Sequence, residues 1–405
     1  MKILKATVLL ILFMFIAQIL RSQERFVTWK EINSFDIQVG AAQFRLYLPL
    51  LKNKKVAIVA NQTSMVSTIH LVDTLLSLKI NVVKIFAPEH GFRGEAEAGA
   101  FLLNGKDIKT GLPIISLYGK QKKPTQENLK DVDVILFDIQ DVGVRFYTYI
   151  STLHYVMESC AENMKELIVL DRPNPNGFYV DGPVLEKEYT SFVGMHPVPL
   201  VHGMTIGEYA QMINGEKWLN NKMLCKLKVI PVKGYNHTLF YRPPVNPSPN
   251  LNNIESIYLY PSLGLFEGTK VSVGRGTYTP FSIIGYPGFP HGTITFKPVA
   301  IKGMSENPLY QDTLCDGINL SEFARNYLKV NKSIYLFWLI GMYESYPVKD
   351  KFFTSFFDKL AGTDALRKQI ILGKTEEDIR KSWKIKIDNF KKIRKKYLLY
   401  TDFED

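Results

Sequence analysis

The stretch DVDVILFDIQD, residues 131–141, decides the fold class. Its segment Val132–Phe137 is almost continuously apolar, and similar short runs occur at Lys55–Ala60, Asn81–Phe86 and Glu166–Leu170. Strands that are apolar on both faces are typical of a parallel sheet covered by helices on both sides. Stretches with helical spacing lie between these runs, so the sequence predicts a doubly wound α/β domain.

A polar stretch in the middle of the chain predicts a domain boundary. YRPPVNPSPNLNN, residues 241–253, is too rich in proline and asparagine to form a regular element. We therefore assign residues 23–240 to a first domain and residues 241–405 to a smaller α/β domain, which includes a predicted strand at Thr293–Phe296. The asparagines and the serine of this stretch also suit a binding loop, with Asn246, Ser248 and Asn250 as candidates.

The first 22 residues resemble an export signal. Two lysines precede an apolar run from Ala6 to about Leu20, which is short for a bilayer span. Cleavage after Ser22 would leave Gln23 as the new N-terminus; an uncleaved membrane anchor is the alternative. We expect an exported protein, periplasmic or secreted, with no membrane span after cleavage.

Composition narrows the possible functions. The formal net charge is +11, and much of the basic character lies in residues 380–400, whose apolar spacing predicts an amphipathic helix. A docked helix with a basic outer face explains this segment; contact with an anionic surface polymer is the alternative. The three cysteines match neither a disulfide framework nor a metal-ligand spacing. Export and the lack of a recognised motif argue against nucleic-acid binding.

The sequence lacks the usual cofactor-binding patterns. The first strand is followed by NQTSMVS, residues 61–67, which has no glycine fingerprint for a pyrophosphate. Neither a phosphate-binding GxxxxGK[ST] loop nor a GxSxG nucleophile elbow occurs anywhere in the chain. We therefore predict no cofactor and no metal.

Polar residues follow each of the four predicted strands. In open parallel sheets, ligands bind in the crevice beyond the carboxyl ends of the strands. Four loops therefore place their polar side chains on one rim, and we predict that this rim is the functional site. The residues are Asn61, Glu89, His90, Asp138, Gln140, Asp141, Asp171 and Arg172.

Carboxylates on this rim suit the cleavage of a glycosidic bond, which needs an acid to protonate the leaving oxygen. Glu89 is the candidate acid; alternatively, it binds backbone amides and shapes its loop. Glu95 is a further candidate for the same site. His90 orients Glu89 or binds substrate, or is a buried structural histidine. Asp138 and Asp141 are candidates for a base that activates water, although Asp141 could instead cap the following helix.

Arginines and aromatic rings provide candidate substrate contacts. A guanidinium binds a carboxylate in bidentate fashion, although some arginines will simply pair with the acids of the rim. Aromatic rings stack on sugar faces, but core packing explains most of them. The candidates from these considerations are Arg93, Arg145, Arg172, Arg275, His202 and Tyr147.

Several longer motifs, in this order, are similar to those of the bacterial exo-β-N-acetylmuramidases, glycoside hydrolase family 171. They are FAPEHGFRGEAEAG (86–99), GLPIISLYGK (111–120), DVDVILFDIQDVGVRFYTYI (131–150), VLDRPNPNG (169–177), DGPVLE (181–186), HGMTIGEYA (202–210), VNPSPN (245–250) and EGTKVSVGRGTYTPF (267–281). The resemblance extends from about Asn53 to the YLLY near the C-terminus.

This resemblance implies a fold and an activity. It implies a Rossmann-like domain followed by a smaller domain, with the active site in the cleft between them. It also implies release of N-acetylmuramic acid from the non-reducing end of peptidoglycan fragments, so muropeptides or disaccharides that contain this sugar are the expected partners. The catalytic glutamate of the APEHG motif falls on Glu89, and the matching motifs add Asn174 and Glu267 to the substrate-binding candidates.

Two other classes of function remain open from the sequence. A metal-assisted esterase or deacetylase acting on cell-wall components would use His90, Asp138, Asp141, Asp171 and His202 as ligands. A non-catalytic protein would bind muropeptides without turnover. Activity that survives chelation would favour a glycosidase over a metal-assisted hydrolase. A turnover assay would distinguish an enzyme from a binding protein.

Overall fold

The computed structural model describes residues 37–93 and 104–404, which belong to one compact unit. The predicted signal, residues 1–22, lies outside the described residues. The strands are β1 (Val56–Ala60), β2 (Met65–Val66), β3 (Ile69–His70), β4 (Val82–Ala87), β5 (Gly105–Lys106), β6 (Pro113–Ser116), β7 (Val134–Asp138), β8 (Glu166–Leu170), β9 (Lys226–Ile230), β10 (Ile283–Tyr286), β11 (Ile294–Phe296) and β12 (Cys315–Asn319).

Seven strands form one large sheet in the order β5-β6-β4-β1-β7-β8-β9. All neighbouring strands in it are parallel except β5 and β6 at the edge. The chain moves outward from β1 through β4 to β6, and then returns to the middle and moves outward from β7 through β8 to β9. This reversal between β1 and β7 is the switch point of a doubly wound, Rossmann-like sheet, as predicted.

Helices cover both faces of this sheet and continue into the C-terminal part. The helices are α1 (Phe44–Leu51), α2 (Leu71–Ser77), α3 (Gln126–Leu129), α4 (Tyr149–Glu162), α5 (Ile206–Gly215), α6 (Ile254–Leu263), α7 (Ser321–Phe323), α8 (Lys329–Asn331), α9 (Phe337–Ser345), α10 (Phe357–Ala361), α11 (Ala365–Ile371) and α12 (Glu376–Arg394). No helix in the described part of the chain is long and apolar enough to cross a membrane.

Strand β1 shows why these strands are apolar throughout. Val56, Ile58 and Ala60 belong to a core cluster with residues of α1 and α2. Ala57 and Val59 point to the opposite face and belong to a second cluster with residues of α4 and α5. Successive side chains of a strand point to opposite faces, so a sheet covered on both sides requires an apolar residue at every position.

The C-terminal part has a smaller sheet, with the antiparallel order β10-β12-β11. Its long helix α12 begins at a Thr375 cap that accepts a hydrogen bond from the Asp378 amide. Acidic residues occupy its first turn and basic residues its last, as the helix dipole favours. The core cluster that contains α4 and α5 extends into this part. The boundary at residue 240 stays a prediction.

Candidate active site

A cavity of about 480 Å³ opens beyond the carboxyl ends of the parallel strands. Its wall combines residues from both sides of residue 240. The lining residues are Glu89, His90, Tyr118, Phe146, Tyr147, Thr148, Tyr149, Phe192, Val193, Ser248, Leu251, Tyr260, Glu267, Arg275, Phe281, Met304, Ser305, Asn307, Phe356 and Leu360. Of the sequence-predicted site residues, Glu89, His90, Tyr147, Ser248, Glu267 and Arg275 therefore meet around one space.

Glu89 lies two residues after the end of β4, and two hydroxyl groups hold its carboxyl group. The Thr148 hydroxyl donates to Glu89 Oε2 at 2.6 Å. Burial raises the pKa of Tyr118, and the Glu89 carboxylate beside it, which is hydrogen-bonded to the Tyr118 hydroxyl, raises it further. The next residue, His90, has a φ of +70°, so the chain turns sharply directly after Glu89. The strand end, the turn and the two hydroxyls fix the carboxyl group in the cavity wall.

Tyrosines form much of the remaining wall near Glu89. The rings of Tyr147 and Tyr149 pack edge to face at 4.8 Å, and Tyr147 packs in the same way on Tyr260 at 5.9 Å. Asn61 donates through Nδ2 to the Tyr149 hydroxyl at 2.8 Å. Asn61 is fully buried and does not line the cavity. Its place in the site is therefore to hold Tyr149.

The loop at residues 246–250 closes one side of the cavity through backbone contacts. Its Pro247 carbonyl accepts from the Tyr147 hydroxyl at 2.8 Å and from Gln62 Nε2 at 3.1 Å. The Asn246 carbonyl accepts from the same Gln62 amide at 3.3 Å. Asn250 donates to the Met304 carbonyl at 2.7 Å. These bonds attach the loop to the rim and leave Ser248 on the cavity surface.

Glu267 and Arg275 form an ion pair in the lining of the cavity. Arg275 Nε donates to Glu267 Oε1 at 2.7 Å, and each side chain is 24% exposed. The Arg275 guanidinium also lies 5.1 Å from the centre of the Phe281 ring. The pair therefore adds one cation and one anion to a wall that contains many aromatic side chains.

Asp138, which was predicted to be a base, instead forms an ion pair with an arginine. Arg172 donates through Nε and Nη2 to the two carboxylate oxygens of Asp138 at 2.6 and 2.9 Å. Asp138 has no exposed surface, and Arg172 is 3% exposed. This bidentate pair holds β7 to the end of β8, and neither residue lines the cavity.

Asp141 and His202 are buried behind the cavity. Asp141 Oδ2 accepts from the Gly143 amide at 2.6 Å and lies 4.0 Å from His202 Nε2. Burial raises the pKa of Asp141 to about 7 and lowers the pKa of His202 to about 3. At neutral pH His202 is therefore neutral, and Asp141 is about half protonated. Gln140 Nε2 donates to the carbonyls of Asp141 and Pro173, which fixes the same turn.

The other predicted residues bind parts of the protein itself. Arg145 is fully buried and donates to the four carbonyls of Pro183, Val198, Leu360 and Ala361. Asp171 accepts from the hydroxyls of Thr205 and Tyr400 and from the Gly207 amide. Asn174 donates to the Met204 carbonyl, and Arg93 pairs with Asp107. Glu95 lies outside the described residues.

The ligand set considered for a metal-assisted hydrolase is dispersed in this structure. Asp138 is paired with Arg172. Asp171 accepts hydrogen bonds from hydroxyl and amide donors, and Asp141 is buried behind the wall. Among residues 37–93 and 104–404, no group of three or more His, Cys, Asp or Glu side chains is arranged to hold a metal ion.

The sequence analysis missed Thr148 and Tyr118, the two residues that hold Glu89. Each had a local signal: Thr148 comes directly before α4, and Tyr118 follows β6 at the same rim. Neither side chain is charged, so a search for carboxylates, histidines and arginines passed over both. Tyr260, which lies in α6, had no signal beyond its apolar neighbours.

Comparison with known proteins identifies the family. A family model described as "Exo-beta-N-acetylmuramidase NamZ, N-terminal" matches residues 56–255, and its C-terminal counterpart matches residues 258–400. The peptidoglycan β-N-acetylmuramidase NamZ of Bacillus subtilis (strain 168) is 41% identical over 374 residues, which cover 87% of this chain and 89% of that protein.

Two solved structures support the same relationship. They are DUF1343 family proteins from Bacteroides fragilis NCTC 9343, with 48% and 30% identity and TM-scores of 0.83 and 0.75. Each comparison covers 90% of this chain and 99% of the other. The chain therefore belongs to the NamZ family of exo-β-N-acetylmuramidases.

Proposed function

We propose that this protein is an exo-acting glycoside hydrolase that releases N-acetylmuramic acid from the non-reducing end of peptidoglycan fragments, with Glu89 as general acid. Family membership supports the substrate class and the reaction. The position of Glu89 carries the assignment of the acid. It is a carboxyl group in the wall of the cavity, held by hydroxyl groups, whereas Asp138 on the same rim is closed by Arg172.

Glu89 would deliver its proton to the oxygen that joins the two sugars. Bond cleavage leaves that oxygen with negative charge, and proton transfer in the transition state removes it. The carboxylate that remains would accept hydrogen bonds from Thr148 and Tyr118, and such charge-assisted bonds are stronger than neutral ones. The two hydroxyls therefore fix the carboxyl group and stabilise it after the transfer.

The cavity has the size and the surface that a sugar requires. Its volume of about 480 Å³ lies within the usual range of about 300–1,000 Å³ for small-molecule sites. The rings of Tyr147 and Tyr260 line it with aromatic surface, and Ser248, Ser305 and Asn307 add polar side chains. Such a wall suits the apolar face of a pyranose ring and its hydroxyl edge.

Hydrolysis of a chromogenic β-N-acetylmuramide tests this function. Wild-type protein should release the chromophore from the muramide and leave the matching β-N-acetylglucosaminide intact. Glu89→Gln keeps the size of the side chain but has no acidic proton, so kcat/KM on a muramide with a poor leaving group should fall about 100- to 10,000-fold. Unchanged hydrolysis by Glu89→Gln of the muramide with the poor leaving group would remove Glu89 from the role of acid. A wild-type protein without muramidase activity would contradict the function itself.

We further propose that the protein is exported to the periplasm or secreted, on the basis of the lysine-flanked apolar run at its N-terminus. Expression in a bacterial host followed by fractionation tests this. N-terminal sequencing of the exported species should begin at Gln23. Retention of the full-length chain in the cytoplasm would contradict the proposal.

A further inference from the structure

Arg275 differs from the other arginines that the sequence pattern selected as carboxylate binders. Arg145 donates hydrogen bonds to four carbonyl oxygens, and Arg172 donates to both oxygens of Asp138. Arg93 pairs with Asp107 in bidentate fashion and does not line the cavity. Arg275 lines the cavity beside the same space as Glu89. The structure therefore reduces four candidates to one.

The contacts of Arg275 fix the plane of its guanidinium and leave one edge for a ligand. Within the part of the chain that the structure describes, its hydrogen bond is the one from Nε to Glu267. Its central carbon lies over the Phe281 ring at 5.1 Å. A guanidinium has five N–H donors in a rigid fork, so this bond leaves donors on the two terminal nitrogens. A second carboxylate would bind there in bidentate fashion.

The lining offers one cation to such a ligand, beside the carboxyl groups of Glu89 and Glu267. Arg275 is the one lysine or arginine among the lining residues in the described part of the chain. The lactyl ether of N-acetylmuramic acid carries a carboxylate that N-acetylglucosamine lacks. An anion in a largely aromatic cavity is costly unless a cation pairs with it. We propose that Arg275 binds the lactyl carboxylate of the substrate and thereby selects muramides over glucosaminides.

This assignment rests on the proposed function and adds a division of labour to it. Glu89 acts at the glycosidic oxygen, and Arg275 acts at the lactyl group attached to the sugar ring. Glu267 holds the Nε of Arg275 and balances its charge before substrate binds. Arg275 is therefore a specificity determinant, and Glu267 is its positioning residue.

A pair of substrates that differ only at the lactyl carboxylate tests the assignment. One is a chromogenic β-N-acetylmuramide, and the other is the same compound with its lactyl carboxylate converted to a methylamide. Wild-type protein should prefer the acid by about 10- to 100-fold in kcat/KM, the range expected for charge-assisted hydrogen bonds. Arg275→Met should reduce this preference to less than about threefold. Arg325→Met is the matched control, because Arg325 also pairs with a glutamate, Glu255 at 3.0 Å, and does not line the cavity.

The outcomes separate the specificity assignment from the function. Activity of Arg275→Met on the methylamide shows that the variant is folded, and a wild-type preference for the acid in that variant would overturn the assignment. Should Arg275→Met not fold, Arg275→Lys decides, since it retains the charge but lacks the fork. A reduced preference supports the assignment, and an unchanged preference contradicts it.

A wild-type protein that hydrolyses neither compound would refute the proposed function alone. Calorimetry of the binding of free N-acetylmuramic acid then tests the assignment of Arg275. Binding by the wild type that Arg275→Met loses supports the assignment, and equal binding or none overturns it.

Discussion

Two carboxylates on strands that flank β1 have opposite surroundings. Asp138 is the last residue of β7, and Glu89 follows the end of β4. Asp138 is fully buried and its two oxygens bind Arg172, whereas Glu89 lies in a cavity wall and binds the hydroxyls of Thr148 and Tyr118. The guanidinium of Arg172 occupies both carboxylate oxygens of Asp138, whereas the hydroxyl partners of Glu89 leave its carboxyl group in the wall of the cavity. The hydrogen-bond partners therefore distinguish Asp138, which has a structural role, from Glu89, the proposed general acid.

The topology explains why the structural pair forms. Strands β7 and β8 are neighbours in the sheet, so Arg172 after β8 reaches Asp138 at the end of β7. A buried ion pair of this kind has to be complete, because either charge alone would be desolvated without compensation. Glu89 lies on the other side of β1, where the turn at His90 and the loop at residues 246–250 leave room for a ligand.

The largest expected effect is the loss of stability when the Asp138–Arg172 pair is broken. Asp138→Asn leaves Arg172 buried without its counter-charge, and the free energy of unfolding should fall by about 3–5 kcal/mol. Urea denaturation followed by circular dichroism measures this. Glu255→Gln is the control, because Arg325, the partner of Glu255, is exposed and their pair should contribute at most about 1 kcal/mol. Equal losses in both variants would contradict a structural role specific to Asp138.

A smaller effect is expected in the pH dependence of stability at Asp141. Burial raises the pKa of Asp141 to about 7, so the native state holds a proton that the unfolded chain releases near pH 4. Its stabilising contribution is therefore fully present below about pH 4 and is lost as the pH rises through about 7. Asp141→Asn cannot ionise and should gain stability relative to wild type, by about 3 kcal/mol between pH 5 and pH 8.

Urea denaturation of both proteins at these two pH values measures the difference. His202, whose pKa burial lowers, contributes with the opposite sign, but it is present in both proteins and largely cancels. A constant difference between wild type and Asp141→Asn would show that Asp141 is ionised in the native state throughout this range.

The smallest effect is expected at Thr148, which sharpens the comparison on the Glu89 side. Thr148→Val removes the hydroxyl that donates to Glu89 and keeps the shape of the side chain. A lost charge-assisted bond of about 1–2 kcal/mol should lower kcat about 5- to 30-fold, with little change in KM, because the bond acts on the acid. Thr148→Ser retains a hydroxyl and should recover most of the activity. A change in KM alone would place Thr148 in substrate binding.

Much of the fold was predictable from the sequence because parallel strands are apolar on both faces. The runs at Val56–Ala60, Val82–Ala87 and Glu166–Leu170 lie within one residue of their predicted bounds. The stretch with helical spacing after the first of these strands forms only a short helix, Leu71–Ser77. The Ile69–His70 strand before it pairs with Met65–Val66, and His70 caps the helix. Such a short hairpin has no distinctive hydrophobic period.

The candidate site was predictable as a rim but not as a set of contacts. Polar residues at strand ends indicated the region, and the resemblance of the APEHG motif indicated Glu89. Which acid faces an arginine depends on side chains more than 30 residues apart, as with Asp138 and Arg172. Arg145 shows the same limit, since the carbonyls that bind it come from two loops near residues 183 and 198 and from the end of α10. Their positions follow from the packed structure and leave no local pattern.

The most direct test of the central claim measures kcat/KM of Glu89→Gln on two substrates that have different leaving groups. The dinitrophenolate of a dinitrophenyl β-N-acetylmuramide departs without protonation. A disaccharide with N-acetylmuramic acid at its non-reducing end requires a proton on the leaving oxygen. If Glu89 is the general acid, kcat/KM should fall at least about 100-fold on the disaccharide and less than about tenfold on the dinitrophenyl substrate. Equal losses on both substrates, or no loss on the disaccharide, would contradict the account.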